Sequence, residues 1–209
     1  MLRLLLIALL LALFLLPIGY FAMSVMARWS GYIGQTVEAW QHYAEQSGLH
    51  YHALLPHLAR RLEGEFDGRS ITLRGSRLGR SAEWTEVRIN LKRASEVSLA
   101  LVADRLPLPR PRRHERVMTG DPDFDAAYHL SGGPVSRVNR LLRAQPDLQS
   151  YLMQGFGPTY SLEHPARLSI NGDQLRYRHR GWVTSAEELA SLVRLLNALA
   201  EAAEQHPID

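Results

Sequence analysis

Between Leu4 and Ala27 the chain carries no charged residue, and Leu4 to Leu16 is almost entirely aliphatic. As a helix rising about 1.5 Å per residue, such a stretch reaches roughly 36 Å, enough to cross a hydrocarbon core of roughly 30 Å. Arg3 precedes it and Arg28 follows, with Trp29 and Tyr32 where interfacial aromatics belong. The expectation is an N-terminal transmembrane helix within residues 1–27 and one domain over 28–209. A cleaved signal peptide competes, because Pro17 closes the first apolar run, and Ala22-Met23-Ser24 or Val25-Met26-Ala27 offers small residues for cleavage. The apolar character continues to Ala27, however, further than such a peptide needs. Two positive groups before the segment against one after it favour a single-pass protein of the cytoplasmic membrane, with its domain on the extracytoplasmic side.

The remainder of the chain, from Arg28 onward, is long enough to bury a core. Hydrophobic residues at 46% and charged residues at 22% exclude wholesale disorder. The absence of cysteine excludes disulfides, thiolate nucleophiles and cysteine zinc sites.

The hydrophobic period changes along the domain. Gly34 to Gln46 predicts a helix with Val37, Trp40 and Tyr43 at helical spacing and Gly48 as its stop. Leu49 to Leu62, interrupted by Pro56, has no clear period. Phe66-Asp67-Gly68-Arg69 is a hairpin signal. Thr85, Val87, Ile89 and Leu91 alternate with Glu86, Arg88, Asn90 and Lys92 as one half-buried strand, and Val97, Leu99 and Leu101 predict a further one. Residues 105–116 carry three prolines and five arginines, an exposed, extended loop. Ala126 to Leu130 predicts a short strand. Pro134 opens a helix through Val135, Val138, Leu141 and Leu142; Pro146 ends it, and Asp147 caps a continuation through Leu148 and Leu152. Asn171-Gly172, between Leu168, Ile170 and Leu175, Tyr177, His179, predicts a hairpin. Thr184-Ser185-Ala186-Glu187-Glu188 is a capping box for a long helix with Leu189, Leu192, Val193, Leu196, Leu199 and Ala203 on one stripe. The sum is α+β: antiparallel strands in two groups, packed with helices and closed by a long C-terminal helix.

The stretch Met118 to Leu130, with Gly120-Asp121-Pro122-Asp123-Phe124-Asp125 at its centre, resembles a Gly-Asp-Pro-x-Phe-Asp motif of uncharacterised, membrane-associated bacterial domains. The wider pattern is similar too: a helix ending near Gly48-Leu49, a strand at Gly68-Arg69-Ser70-Ile71, and a final hairpin and leucine-rich helix over 166–203. The resemblance implies this architecture and membrane anchoring, and no chemistry. The single N-terminal segment and the basic proline-rich loop depart from that pattern.

Candidate sites are few. Asp121, Asp123 and Asp125 have the spacing of the first calcium-loop ligands, but the later glycine and glutamate positions are Ala126 and Gly132, so a tight turn with Phe124 in the core is favoured. His42, His50, His52 and His57 cluster without a companion ligand at zinc spacing, and Glu63 and Glu65 flank a hairpin as solvated groups. No nucleophile elbow or phosphate loop is present, so no catalytic residue, metal or cofactor is assigned. Arginine is the remaining signal. Residues 59–116 hold 14 basic and 8 acidic groups, a balance of +6; residues 117–209 hold 8 and 11, a balance of −3. Arg110, Arg112, Arg113 and Arg116 form a basic loop, and Arg176, Arg178 and Arg180 a comb on one strand face. These are candidate contacts for a partner protein or anionic lipid headgroups. Nucleic acid is not favoured, since no groove-reading motif is present. The leading expectation is a membrane-anchored, non-enzymatic interaction domain of an envelope complex. The alternative is a small-ligand or lipid-binding domain with a cavity between sheet and final helix.

Overall fold

Strand pairing organises the domain around one long element. The computed structural model describes residues 32–55, 59–77, 83–103, 116–155 and 167–205. Within them β1 (His50–Leu55), β2 (Ala59–Phe66), β3 (Arg69–Arg77) and β4 (Glu83–Ala103) run as an antiparallel meander. β5 (Tyr128–Gly133) and β6 (Arg167–Arg180) both pair with β4, completing a six-stranded sheet. The described helices are α1 (residues 32–47), α2 (Pro122–Ala127), α3 (Val135–Arg143), α4 (Pro146–Gly155) and α5 (Ala186–Glu204). The fold class is α+β.

The sheet corrects three expectations. The strands form one sheet, not two groups, because β4 continues through the polar stretch at Arg93 and is shared by every later strand. One edge of β4 takes β3 along Glu83–Ile89 and β5 along Ser98–Ala103. The other takes β6, from Trp84↔Arg180 to Val102↔Arg167. Asn171-Gly172 is therefore no hairpin turn. Both flanking halves of β6 pair with β4 rather than with each other, and Gly172, at φ 60°, lies where the offset changes. From Asn90 to Leu99 β4 advances nine positions while β6 advances four, from Gln174 to Ile170, so β4 bulges between them. Gly172 marks a bulge because a left-handed residue serves an irregular strand as readily as a turn. The third correction is at 122–127, where α2 stands before the strand expected at Ala126.

Other elements match their signals. Phe66 faces Arg69 across a two-residue turn, with Asp67 and Gly68 at φ 51° and 69°. Ser185 caps α5, its hydroxyl accepting from the Glu188 amide at 3.3 Å, and the expected leucine stripe is buried throughout. Gly132 is required for another reason: a Cβ there would lie 2.1 Å from the Ser98 carbonyl oxygen across the ladder.

Alternation divides the sheet into two faces. Leu62, Leu73, Val87 and Tyr177 form one inward rank, Ile71, Ile89 and Leu175 the next, and Leu99, Leu101, Leu130, Leu168 and Ile170 continue the apolar face across β4, β5 and β6. Against them lie Trp40 and Tyr43 of α1, Phe124 of α2, Leu141 and Leu142 of α3, Leu148 and Leu152 of α4 and the α5 stripe. Burying such side chains contributes about 2 kcal/mol apiece. Arg69 joins α5 to the β2–β3 hairpin: its guanidinium donates to Glu204 at 3.0 and 2.6 Å and to Asn197 Oδ1 at 3.1 Å, while Asn197 donates to Asp67 at 2.9 Å.

α1 enters at one end of the sheet. Trp40 covers Gly75 and donates to the Val183 carbonyl at 3.0 Å, whereas Leu49, beyond the helix end, covers Gly64 at the other end. Buried Arg60 donates to the Ile33 carbonyl at 3.3 Å and stacks on Trp182 at 4.2 Å, and Trp182 stacks on Tyr32. Among the described residues no helix is long and apolar enough to cross a membrane; the segment Leu4–Ala27 lies outside them.

Candidate interaction face

The second face of the sheet is set by the same register. His52, Arg61, Arg74, Glu86 and Arg178 align across β1, β2, β3, β4 and β6. Beside them run His50, Glu63, Thr72, Arg88 and Arg176 in a second rank, and Ser76, Trp84 and Arg180 in a third. Six arginines thus share a face with two glutamates. The buried apolar side chains of all five described helices belong to the opposite side.

Glu86 organises the centre. Its side chain is 1% exposed, yet it lies among cations: Arg176 donates to one carboxylate oxygen at 2.7 Å and Arg88 to the other. Burial works to raise its pKa, but the guanidinium bonds hold it below the ordinary 4.5. The charged carboxylate fixes two guanidinium groups that remain partly exposed, at 43% for Arg176 and 33% for Arg88. Arg178 lies over the Trp84 ring at 4.5 Å. Arg74, between Arg61 and Glu86 in its rank, keeps its buried Nε without an acceptor among the described residues. Glu63 is engaged by Arg61 and by His52 at 3.3 Å.

The acidic motif is a different construction. Asp121 caps α2, accepting from the Asp123 and Phe124 amides at 3.0 and 3.1 Å. Asp125 is buried and accepts from the Thr119 amide and hydroxyl, both at 2.9 Å, and from the Gly120 amide at 3.1 Å. Burial works to raise its pKa, and these donors hold it below the ordinary 3.8. Pro122 opens the helix, and Phe124 packs against Tyr128 with ring centroids 5.0 Å apart. Both oxygens of Asp125 and one of Asp121 are thus turned to the motif's own N–H and O–H groups rather than toward a common cation.

Arg110, Arg112 and Arg113 lie outside the described residues. Arg116 bridges to Ser131 and donates to the Asp125 carbonyl, so it braces the acidic motif rather than extending a free loop. Arg176, Arg178 and Arg180 do share a face, joined there by Arg61, Arg74, Arg88, Trp84 and Glu86, which sequence reasoning did not assemble. Alternation within β4 flagged Glu86 and Arg88, but their neighbours are set by cross-strand register. His42, His50 and His52 are exposed and His57 lies outside the described residues. Among the described residues no group of three His, Asp or Glu could hold a metal ion.

Where α5 meets the sheet, Leu189, Leu192, Val193, Leu196 and Leu199 are fully buried. An open groove of about 490 Å³ lies elsewhere, between α4 and α5, lined by Tyr151, Leu195 and Ala198 with Asp147 and Arg194.

No protein-family model and no curated protein matches the chain. Among solved structures it is similar to the mycobacterial trehalose monomycolate transport factor A, TtfA, at 12% identity and a TM-score of 0.51, over 84% of this chain and 98% of that one. The likeness is one of fold. The resemblance to motif-bearing bacterial domains rests on the motif and its flanking elements alone.

Proposed function

We propose that the chain is a membrane-anchored, non-enzymatic accessory of a bacterial envelope complex, in which the α+β domain docks onto its surroundings through cationic surfaces. The observation that carries the proposal is the two-sided sheet: one face buries the described helices, the other presents six arginines organised around a buried glutamate. A catalytic carboxylate needs room for substrate and a matched pKa. Glu86 has neither, since two guanidinium groups occupy its oxygens. The fold shared with a mycobacterial trehalose monomycolate transport factor supports a non-enzymatic accessory role of this kind. The apolar stretch Leu4–Ala27 supplies the anchor, and Arg110, Arg112 and Arg113 add positive charge to the chain.

The test is in-cell crosslinking of the full-length, C-terminally tagged protein, mild detergent extraction and mass spectrometry. One stoichiometric partner of the envelope is expected. Recovery of the protein alone overturns the accessory role. The groove between α4 and α5 favours a second reading, a small-ligand or lipid-binding domain. Native mass spectrometry showing a bound lipid that Ala198→Trp excludes would favour it.

A further inference from the structure

The arginine-rich face has a defined position relative to the point where the chain enters the domain. α1 is described from residue 32, four residues after Arg28, the first charge beyond the apolar stretch. Its first described turn is held on the domain. Arg60 donates to the Ile33 carbonyl, and the Trp182 ring contacts both the Arg60 guanidinium and the Tyr32 ring. Arg60 pairs in register with Gly75, Gly75 with Thr85, and Thr85 with His179. The next rank toward the same end is Ser76, Trp84 and Arg180, on the open face. The first described residues of α1 therefore lie at the end of the sheet that carries Trp84, Arg180 and, one rank in, Arg74 and Arg178.

We propose that this corner of the open sheet face, comprising Arg74, Trp84, Arg176, Arg178 and Arg180, rests on the phosphate headgroups of an anionic membrane leaflet. The inference deepens the anchored reading above and rests on it. Three observations select lipid over an acidic protein segment. The anchor places this end of the sheet, and not the far end, within a few residues' reach of the bilayer. The corner combines tryptophan with arginine, the pairing suited to a headgroup layer, where the ring meets the acyl boundary and the guanidinium the phosphates. The donors are spread over three ranks and two strands of the open face, β3 and β6, rather than aligned along one line for a single extended chain. Glu86 then has a definite part: it neutralises little of the face but keeps Arg88 and Arg176 extended along the sheet.

The consequence is orientation. A domain tethered at one point rotates about its tether, whereas a second contact fixes which surfaces face the rest of the complex. Each arginine brought to an anionic leaflet strengthens the contact about fivefold.

The absence of cysteine from the chain makes the test direct. Ser76→Cys places a unique fluorophore site beside Trp84, and Glu201→Cys places one on the exposed side of α5 as a control. Each full-length variant is reconstituted into lipid nanodiscs containing a headgroup-spin-labelled quencher, with phosphatidylcholine alone or with about one-third phosphatidylglycerol. The proposal expects quenching at position 76 about threefold or more above that at 201 in anionic discs, falling to the control level in phosphatidylcholine. It expects the same fall with Arg74→Gln/Arg178→Gln, which leaves the Glu86 bonds intact, once circular dichroism confirms the fold. Equal quenching in both lipids, or none at position 76 in discs that contain the protein, overturns the headgroup contact while leaving the anchor standing. Failure of the full chain to enter discs overturns the anchor, and this proposal with it. Shielding of position 76 only when a co-purifying acidic protein is present overturns the lipid assignment in favour of that protein.

Discussion

Glu86 and Asp125 are both buried carboxylates held below their ordinary pKa, and they are built for opposite purposes. Asp125 is satisfied within six residues, by Thr119 and Gly120, and its partners are amide and hydroxyl groups with nothing left to offer a ligand. Glu86 is satisfied by guanidinium groups of its own strand and of β6, whose remaining donors face outward. The first closes a turn and the second arms a surface. Burial of an acid alone says nothing of its role; the surplus valence of its partners does.

That contrast can be broken in four measurements. The largest effect is expected from Asp125→Ala, which leaves three donors without an acceptor: about 3 kcal/mol of stability in urea unfolding of the full-length protein in detergent, with headgroup quenching retained in the molecules that remain folded. Glu86→Leu comes next at about 1 kcal/mol, because Arg88 and Arg176 can turn toward water. A loss as large as that of Asp125→Ala would mean that Glu86 is as structural as Asp125.

Acid titration tests what the two carboxylates share. Both folded-state pKa values lie below the ordinary ones, 4.5 for Glu86 and 3.8 for Asp125. Each contribution is therefore complete above its ordinary value and is lost as pH falls through the lowered one. Unfolding followed from pH 6 downward should show a shallower acid loss in Asp125→Asn than in the wild type. The smallest effect is ionic. Raising salt to about 0.5 M should weaken the contribution of Glu86 by about 0.5 kcal/mol and leave that of Asp125 unchanged, read as the difference between each variant and wild type.

Legibility in the sequence obeys the same division between local and distant partners. The Gly120–Asp125 turn, the Ser185 cap and the α5 stripe are legible because each is completed within a few residues. The open face is not, because Arg61, Arg74, Glu86 and Arg178 lie on four strands and meet only through register. Asn171-Gly172 shows why register was lost. Its dihedral preference suits a turn and a bulge alike, and the choice was made by β4, far away in the chain. The contacts of Arg116 are hidden for a related reason: in charge it resembles its loop neighbours, and only the fold brings it to the Asp125 carbonyl and Ser131.

The length of β4 has a consequence for how the molecule is made. Residues 50–103 can fold as successive hairpins, each strand pairing with the one just synthesised. The far edge of β4 cannot, since its partner ends only at Arg180. At about 5–20 residues per second, a ribosome needs roughly 4 to 15 s to travel from Ala103 to Arg180. Throughout that interval the nascent sheet presents a row of unpaired amides and carbonyls to whatever other chains are near. The exposed bulge at Lys92 and Arg93 interrupts that row midway with two charges, and so guards the unfinished edge against pairing with a neighbouring copy.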